Sequence, residues 1–188
     1  MSTDNWGESL LKKVNNACNF SENYYLVLFK EGHEQILTEL MSYYDNLMLT
    51  RLELDEKPSK IRERISKALF LRLTAITSKN VVAKLSSLSI IPSYIRTLSS
   101  AHFKTCDRIW CYAGDQSTDC NYYSKRGLLM TVYLSSIPFF INDNSENYYD
   151  TKYYIEESLN NIIKITSLKN KLNSFGVEQI PILRYFLS

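Results

Sequence analysis

Residues that interrupt helices are scarce in this sequence. Its 188 residues include only 5 glycines and 4 prolines, while 45% are apolar. Glycine and proline are the poorest helix formers, so their shortage favours long helices. No segment alternates apolar and polar side chains as a half-buried strand would. We therefore predict an all-α single domain of roughly nine helices, long enough to bury a substantial core.

The features that mark several other classes of protein are missing as well. The formal net charge is only +2, which by itself gives no reason to expect nucleic-acid binding. The four cysteines, at 18, 106, 111 and 120, form no CxxC pair and are interpreted as reduced residues in a reducing compartment. The start, MSTDNWGESLL, is acidic and shows no apolar signal segment. These features lead us to expect a bacterial, cytoplasmic protein.

Patterns that carry catalysis are also lacking. His102 and Cys106 have the i, i+4 spacing of a metal-binding pair, and Asp107 is adjacent. A third ligand would have to come from elsewhere, so a hydrogen-bonded histidine at the edge of the core is favoured. The sequence has no Glu-x-x-His pair and no glycine-rich phosphate loop. We predict a protein that is not an enzyme, with no metal and no cofactor.

One segment of the sequence is unusual because it is long, apolar and free of charge. No residue from Gly127 to Ile141 is charged, and its apolar side chains point in all directions around a helix. The segment is too short to span a bilayer and includes Pro138, so we interpret it as a buried helix. Covering it on every side requires a deep core or a second subunit. The preceding helix is predicted to end at Gly114 and Asp115, with Ser117 or Thr118 as the next cap.

The residues around that break carry a family resemblance. The run Ile109–Trp110, Tyr112–Asp119, Asn121, Tyr123 and Arg126 resembles the signature of the COQ9 family, accessory proteins of ubiquinone biosynthesis. A gapless GDQSTD-x-N-x-Y run of this length is a specific signal. The resemblance implies a TetR-like helical fold with a degenerate N-terminal helix-turn-helix region, dimerisation through the last long helices, and lipid binding without chemistry of its own.

The resemblance also implies partners and sites. It implies that the protein binds an isoprenoid lipid, a polyprenylated quinone precursor, and presents it to the di-iron demethoxyubiquinone hydroxylase. The first turns of the helix that contains this uncharged segment are predicted to contact that partner, through Asp119, Tyr122, Tyr123 and Arg126; Tyr122 stands where many family members have Trp. A lipid cavity or its wall is predicted at four residues that precede this helix: Leu69, Leu98, Phe103 and Trp110.

The N-terminal part is interpreted as helices that do not bind DNA. A regulator of the TetR type would place a basic recognition helix there, but residues 21–29 are largely aromatic and aliphatic, followed only by Lys30. A TetR-like transcriptional regulator with a small apolar ligand remains the alternative. The next helix is predicted to face inward with Ile36, Leu40, Tyr44, Leu47 and Leu54. The basic edge of the fourth helix is interpreted as a solvated face: Lys57, Lys60, Arg62, Arg64 and Lys67.

The three parts of the single domain 1–188 are thus residues 1–55, a lipid-binding and dimerisation core at 58–168, and an apolar tail at 169–188. Chain ends are usually polar unless they are docked. The tail could dock on its own core, on a second subunit or on a membrane. Family members often carry a membrane-binding C-terminal helix, so we expect weak membrane-surface association, with a location peripheral to the inner membrane. Its membrane contacts are predicted to be Ile182, Leu183, Phe186 and Leu187.

Overall fold

Interruptions in the sequence set the ends of most helices. A computed structural model describes residues 8–21, 24–30, 32–76, 78–118 and 120–174. Over these residues the backbone forms helices and no strand, which confirms the all-α prediction. The elements are α1 (Glu8–Ala17), α2 (Tyr24–Leu28), α3 (His33–Leu54), α4 (Ile61–Thr74), α5 (Lys79–Leu88), α6 (Pro92–Ala113), α7 (Cys120–Asn142), a 3-10 turn (Glu146–Tyr148) and α8 (Tyr149–Ser174).

Local signals explain both ends of α6. Pro92 occupies the start of the helix, where a missing N–H costs nothing because that group has no helical partner. Gly114 ends it with a left-handed backbone (φ 97°), a conformation that glycine adopts without strain. The N–H of Asp115 then donates to the carbonyl of Trp110 at 3.0 Å, closing the helix end. The predicted break at Gly114 is confirmed.

The core lies where the five long central helices meet. Helix α3 packs against α4 and α6, helix α4 also contacts α8, and α7 lies between α6 and α8 with α5 beside it. Helix α1 packs on α2. Apolar side chains of this junction that are almost completely buried include Leu37, Met48, Leu69, Cys106, Ile109 and Ile155.

The prediction of which face of α3 is buried is wrong, because the buried face is displaced by about one residue along the helix. Leu54 is 83% exposed, and Leu40 and Tyr44 are only partly buried. The buried side of the helix carries Leu37, Met41, Asp45, Met48 and Leu52 instead. An acidic residue in the centre of this stripe broke the apolar periodicity. The predicted apolar stripe therefore did not include Asp45, although the structure buries it.

Helix α7 is less covered than predicted. Leu128, Leu134 and Phe139 are 43%, 37% and 48% exposed, so a single chain leaves a strip of the uncharged part of this helix in contact with solvent. The opposite side is buried through Leu129, Val132, Tyr133, Ile137 and Phe140. Among the described residues, none of the helices combines the length and apolar content that crossing a bilayer requires.

Candidate functional site

A network of charged side chains joins α6, the turn after it and α7. Arg126 on α7 bridges two carboxylates: its Nε lies 2.6 Å from Asp107 Oδ1 and its Nη1 lies 3.0 Å from Asp115 Oδ2. Lys125 Nζ donates to the other oxygen of Asp115 at 2.6 Å. The hydroxyl of Ser117 also donates to Asp115, at 2.8 Å. The turn is therefore fixed to both helices by charge-assisted hydrogen bonds.

Two of these groups are charged despite their burial. The side chains of Arg126 and Asp115 are only 2% and 5% exposed. Burial opposes ionisation of Asp115, but hydrogen bonds from Lys125, Ser117 and Arg126 outweigh it and lower its pKa to about 2. Burial likewise opposes the charge of Arg126, yet its bonds to Asp107 and Asp115 raise its pKa above the usual value. Both groups stay ionised near neutral pH.

Three aromatic rings lie beside this network. The rings of Phe103, Tyr122 and Tyr123 have centroids 5.0–6.4 Å apart. Tyr122 is held from two sides, since its hydroxyl donates to Asp107 at 3.0 Å and the Arg126 guanidinium lies 3.5 Å from its ring centroid. Tyr123 is 68% exposed. We call Phe103, Tyr122 and Tyr123 the aromatic patch.

Lys125 also lines an apolar groove. Its volume is about 550 Å³, and α4, α6, α7 and α8 all contribute to it. Trp110 lies in its wall: the indole N–H donates to the Lys125 carbonyl at 3.1 Å, and the Lys125 ammonium lies 5.4 Å from the ring centroid. The lining residues are Ile61, Arg62, Ile65, Trp110, Lys125, Leu128, Leu129, Leu159, Ile162 and Ile163. We call this space the α4–α8 groove.

The structure separates the residues predicted for the two sites. Of the predicted lipid-binding residues, Trp110 lines the α4–α8 groove, Phe103 belongs to the aromatic patch, and Leu69 and Leu98 are core residues with 0% and 1% exposure. Arg126, predicted to contact a partner, lies inside the protein instead. Its two carboxylate partners are far from it in sequence, so the spacing did not reveal this burial.

Five predicted site residues are not among those the structure describes. Asp119 and the tail residues Ile182, Leu183, Phe186 and Leu187 lie outside the described residues. Their predicted roles in partner and membrane contact remain predictions.

Part of the predicted basic face has a structural role that sequence reasoning missed. Arg64 donates to the carbonyls of Pro58, Ser59 and Ala113 at 2.6, 3.0 and 3.0 Å. It thereby joins the segment before α4 to the C-terminus of α6, where a cation is favourable because the last carbonyls of a helix lack partners. Residues 55–60 are not helical, so α4 begins at Ile61 rather than at Pro58, where the proline would favour a helix start.

A second buried carboxylate fixes the start of α8. Asp143 accepts hydrogen bonds from the N–H groups and the hydroxyls of both Ser145 and Thr151, at 2.5–2.8 Å. Burial opposes the charge, but these bonds outweigh it and lower the pKa of Asp143 to about 2. This polar turn orders the connection between α7 and α8. Only its polarity was evident from the sequence.

The described residues offer no metal centre. Within that part of the chain, no three His, Cys, Asp or Glu side chains are grouped as ligands. Burial raises the pKa of the Cys106 thiol to about 12, whereas metal binding requires the thiolate. His102 and Cys106 are both buried in the core. The expected hydrogen bond of the histidine is not found at Nδ1, which has no partner among the described residues.

The fold and these sites define a class: an all-helical protein with an apolar groove beside a buried charge network. The COQ9 family model matches residues 95–166, which include most of α6, all of α7, the turn between them and the first part of α8. The match confirms the predicted resemblance to the COQ9 family over this segment, which is 72 of the 188 residues.

Three relatives illustrate the extent of the similarity. A probable ubiquinone biosynthesis protein coq9 of Dictyostelium discoideum is 32% identical over 114 residues, 59% of this chain and 36% of the relative. The human ubiquinone biosynthesis protein COQ9 is 30% identical over 90 residues, 48% of this chain and 28% of the relative. The Xenopus tropicalis protein of the same name is 34% identical over 86 residues, 46% and 26% of the two chains.

The chain thus spans about a third or less of the length of these relatives. All three are named as mitochondrial proteins. The expectation of a bacterial, cytoplasmic protein finds no support in these relatives and stays a prediction.

Proposed function

We propose that this protein is a non-catalytic accessory protein of ubiquinone biosynthesis that binds an isoprenoid lipid, a quinone precursor, in the α4–α8 groove. The groove is the observation on which the proposal depends. Its volume of about 550 Å³ falls within the range of small-molecule sites, which are mostly apolar with a few polar groups. The names of the relatives supply the pathway.

The groove fits an amphipathic ligand better than a polar one. The cations Arg62 and Lys125 are in the wall of the groove. Seven other lining residues are leucine or isoleucine, on α4 (Ile61, Ile65), α7 (Leu128, Leu129) and α8 (Leu159, Ile162, Ile163). Leu128 and Ile163 are 43% and 51% exposed, so a prenyl chain bound there would remove apolar surface from water. A polar head group would then lie near Arg62 or Lys125.

A charge in the groove is expected to abolish most of this binding. Leu128→Glu should weaken the affinity for an isoprenoid benzoquinone with two prenyl units by about tenfold, because about 1.4 kcal/mol of apolar contact and desolvation would be lost. Trp6→Phe leaves Trp110 as the single tryptophan, and quenching of its fluorescence by the quinone measures binding.

The matched control is Ile90→Glu, which adds the same charge at a 78% exposed residue that does not line the groove. It should leave the binding curve unchanged. Equal affinities of the two variants, or an absence of quenching in the parent protein, would rule out the groove as the lipid site.

For the second part of the function, we propose that the aromatic patch contacts the demethoxyubiquinone hydroxylase. Tyrosine is a good interface anchor because its large ring loses little conformational freedom on binding. Tyr123 is the most exposed of the three rings, and the buried network holds its neighbour Tyr122 in place. The first turns of α7 thus remain the proposed contact, with Tyr123 rather than Arg126 at its surface.

Removal of the exposed ring tests this contact. Tyr123→Ala should reduce the amount of hydroxylase retained in a pull-down assay, with about a tenfold loss of affinity, as expected for an interface anchor. Tyr43→Ala, at a 56% exposed residue of α3, is the control and should retain the partner. If both variants retain the hydroxylase equally well, the partner binds elsewhere.

The exposed strip of α7 supports the proposed homodimer. Leu134 and Phe139 on α7 are exposed outside the α4–α8 groove, as are Tyr149 and Tyr153 on the adjacent α8. Pairing these two helices with those of a second copy would bury this apolar surface in a four-helix contact. Light scattering should give the mass of a dimer at micromolar concentration, and Leu134→Glu should shift the protein to monomer. A monomeric parent protein contradicts this proposal.

The proposed location is peripheral to a membrane, through the tail at 169–188. Its Lys and Arg residues are few, so the expected association is weak and sensitive to salt. Flotation with anionic vesicles should be lost in a chain that ends at residue 166.

The alternative function, a TetR-like regulator, has little support from the structure, because the five residues of α2 include no basic side chain.

A further inference from the structure

A buried polar cluster in the core is independent of both proposed sites. Arg72 on α4 is fully buried, and its Nε donates to Asp45 Oδ1 on α3 at 2.6 Å. The hydroxyl of Thr105 on α6 lies 2.9 Å from the same oxygen of Asp45. Arg108 Nη1 lies 3.9 Å from the other carboxylate oxygen. Asp45 is therefore well partnered.

The guanidinium of Arg72 is only partly satisfied. Arginine has five N–H donors. One is bound by Asp45, and Nη2 reaches only the sulfur of Met41, at 3.5 Å. Nη1 has no hydrogen-bonding partner among the described residues. An unpaired N–H of a buried charged group is costly, and such groups in native proteins usually have a partner.

A second unpaired atom belongs to the same region. His102 on α6 is 7% exposed, and its Nδ1 has no partner among the described residues. Its ring packs edge-on against Tyr133, with centroids 5.4 Å apart. Burial, with a smaller effect from the Arg72 charge, lowers the pKa of His102 to about 4. The imidazole is therefore neutral near pH 7, with one nitrogen free to accept a hydrogen bond.

Arg72 and His102 line the same small cavity. Its volume is about 20 Å³. A cavity needs roughly 10–15 Å³ to hold one water molecule, and a polar cavity of that size is normally hydrated. The space is too small for a quinone ring. Its other walls are Met41, Leu73, Ile76, Val82, Leu85, Ser86, Leu98, Tyr133 and Ile137.

The two unpaired atoms specify what occupies this space. Arg72 Nη1 must donate, so the occupant needs an oxygen or nitrogen lone pair. His102 Nδ1 accepts when Nε2 holds the ring proton, so the occupant must also donate. A water molecule can accept and donate at the same time. We propose that the cavity is a binding site for one structural water, which accepts from Arg72 Nη1 and donates to His102 Nδ1.

This water would complete the junction of four helices. Arg72 lies on α4, its carboxylate partner on α3, His102 on α6 and the adjacent Tyr133 on α7. By satisfying Arg72, the water would keep the guanidinium oriented towards Asp45. It would also fix the imidazole with its proton on Nε2.

The experiment uses the two histidines of the chain. In protein labelled with ¹⁵N-histidine, we expect His102 in the Nε2–H form, with an NOE from its ring to a long-lived water. His33, which is not in the core, is the internal control and should show no such NOE. A crystal structure near ~1.5 Å should show one isolated peak within hydrogen-bonding distance of both atoms, about 2.7–3.2 Å.

A conservative variant removes the water without removing either polar group. Val82→Ile adds one methylene group to the cavity wall, and the water signals at His102 should disappear. Val81→Ile, next to it but outside the cavity, should retain them. An empty cavity, density for a larger molecule, or a water NOE that persists in Val82→Ile would overturn the proposal.

Discussion

Replacing Arg126 with methionine is expected to lower the free energy of unfolding by about 3–5 kcal/mol. The guanidinium, at 2% exposure, is bound by both Asp107 and Asp115. Methionine keeps much of the apolar volume but leaves Asp115, at 5% exposure, with Lys125 as its only cation within the described part of the chain. Removing one member of a buried ion pair is strongly destabilising, because the remaining charge is then only partly compensated. Urea denaturation of the two proteins, with equal m-values, measures the difference.

The matched control is Lys60→Met, which breaks a surface pair with Glu63. The two side chains of that pair are 71% and 43% exposed, so the expected loss is at most about 1 kcal/mol. Equal stability of the two variants would show that Arg126 is not a structural residue. The comparison also bears on partner binding, because charge reversal at Arg126 would damage the fold before it could report on the hydroxylase.

Loss of Asp45 is expected to be as damaging as loss of Arg126. Asp45→Ala should cost about 3–5 kcal/mol, since it leaves Arg72 buried without a counter-charge. The two side chains are 3% and 0% exposed. The control is Asp55→Ala, which removes a 55% exposed partner of Lys67 and should cost at most about 1 kcal/mol. Thermal or urea unfolding distinguishes these outcomes.

A double variant separates the ion pair from the space it fills. Asp45→Leu with Arg72→Met replaces both charges by apolar groups, and it should be less destabilised than Asp45→Ala alone, because no charge is left unpaired. A double variant that is less stable than either single variant would show that packing, rather than charge, dominates at this position.

The sequence by itself determined the helical class and several helix ends. Pro92 and Gly114 set the limits of α6 by local backbone chemistry, and each acts on its own neighbours without help from the rest of the chain. The family was also evident from sequence, since the GDQSTD-x-N-x-Y run is contiguous and needs no folding to be recognised. These features depend on residues close together in the chain.

Only the tertiary structure decided which charges are buried. Asp45 and Arg72 are 27 residues apart, and Arg126 is 19 residues from Asp107. Each of these side chains looks like part of a solvated helix face when its helix is considered alone. Their pairing depends on how α3 and α4, and α6 and α7, pack together. The α4–α8 groove and the exposed strip of α7 have the same origin, because they are spaces and surfaces left by four helices, which no single segment specifies.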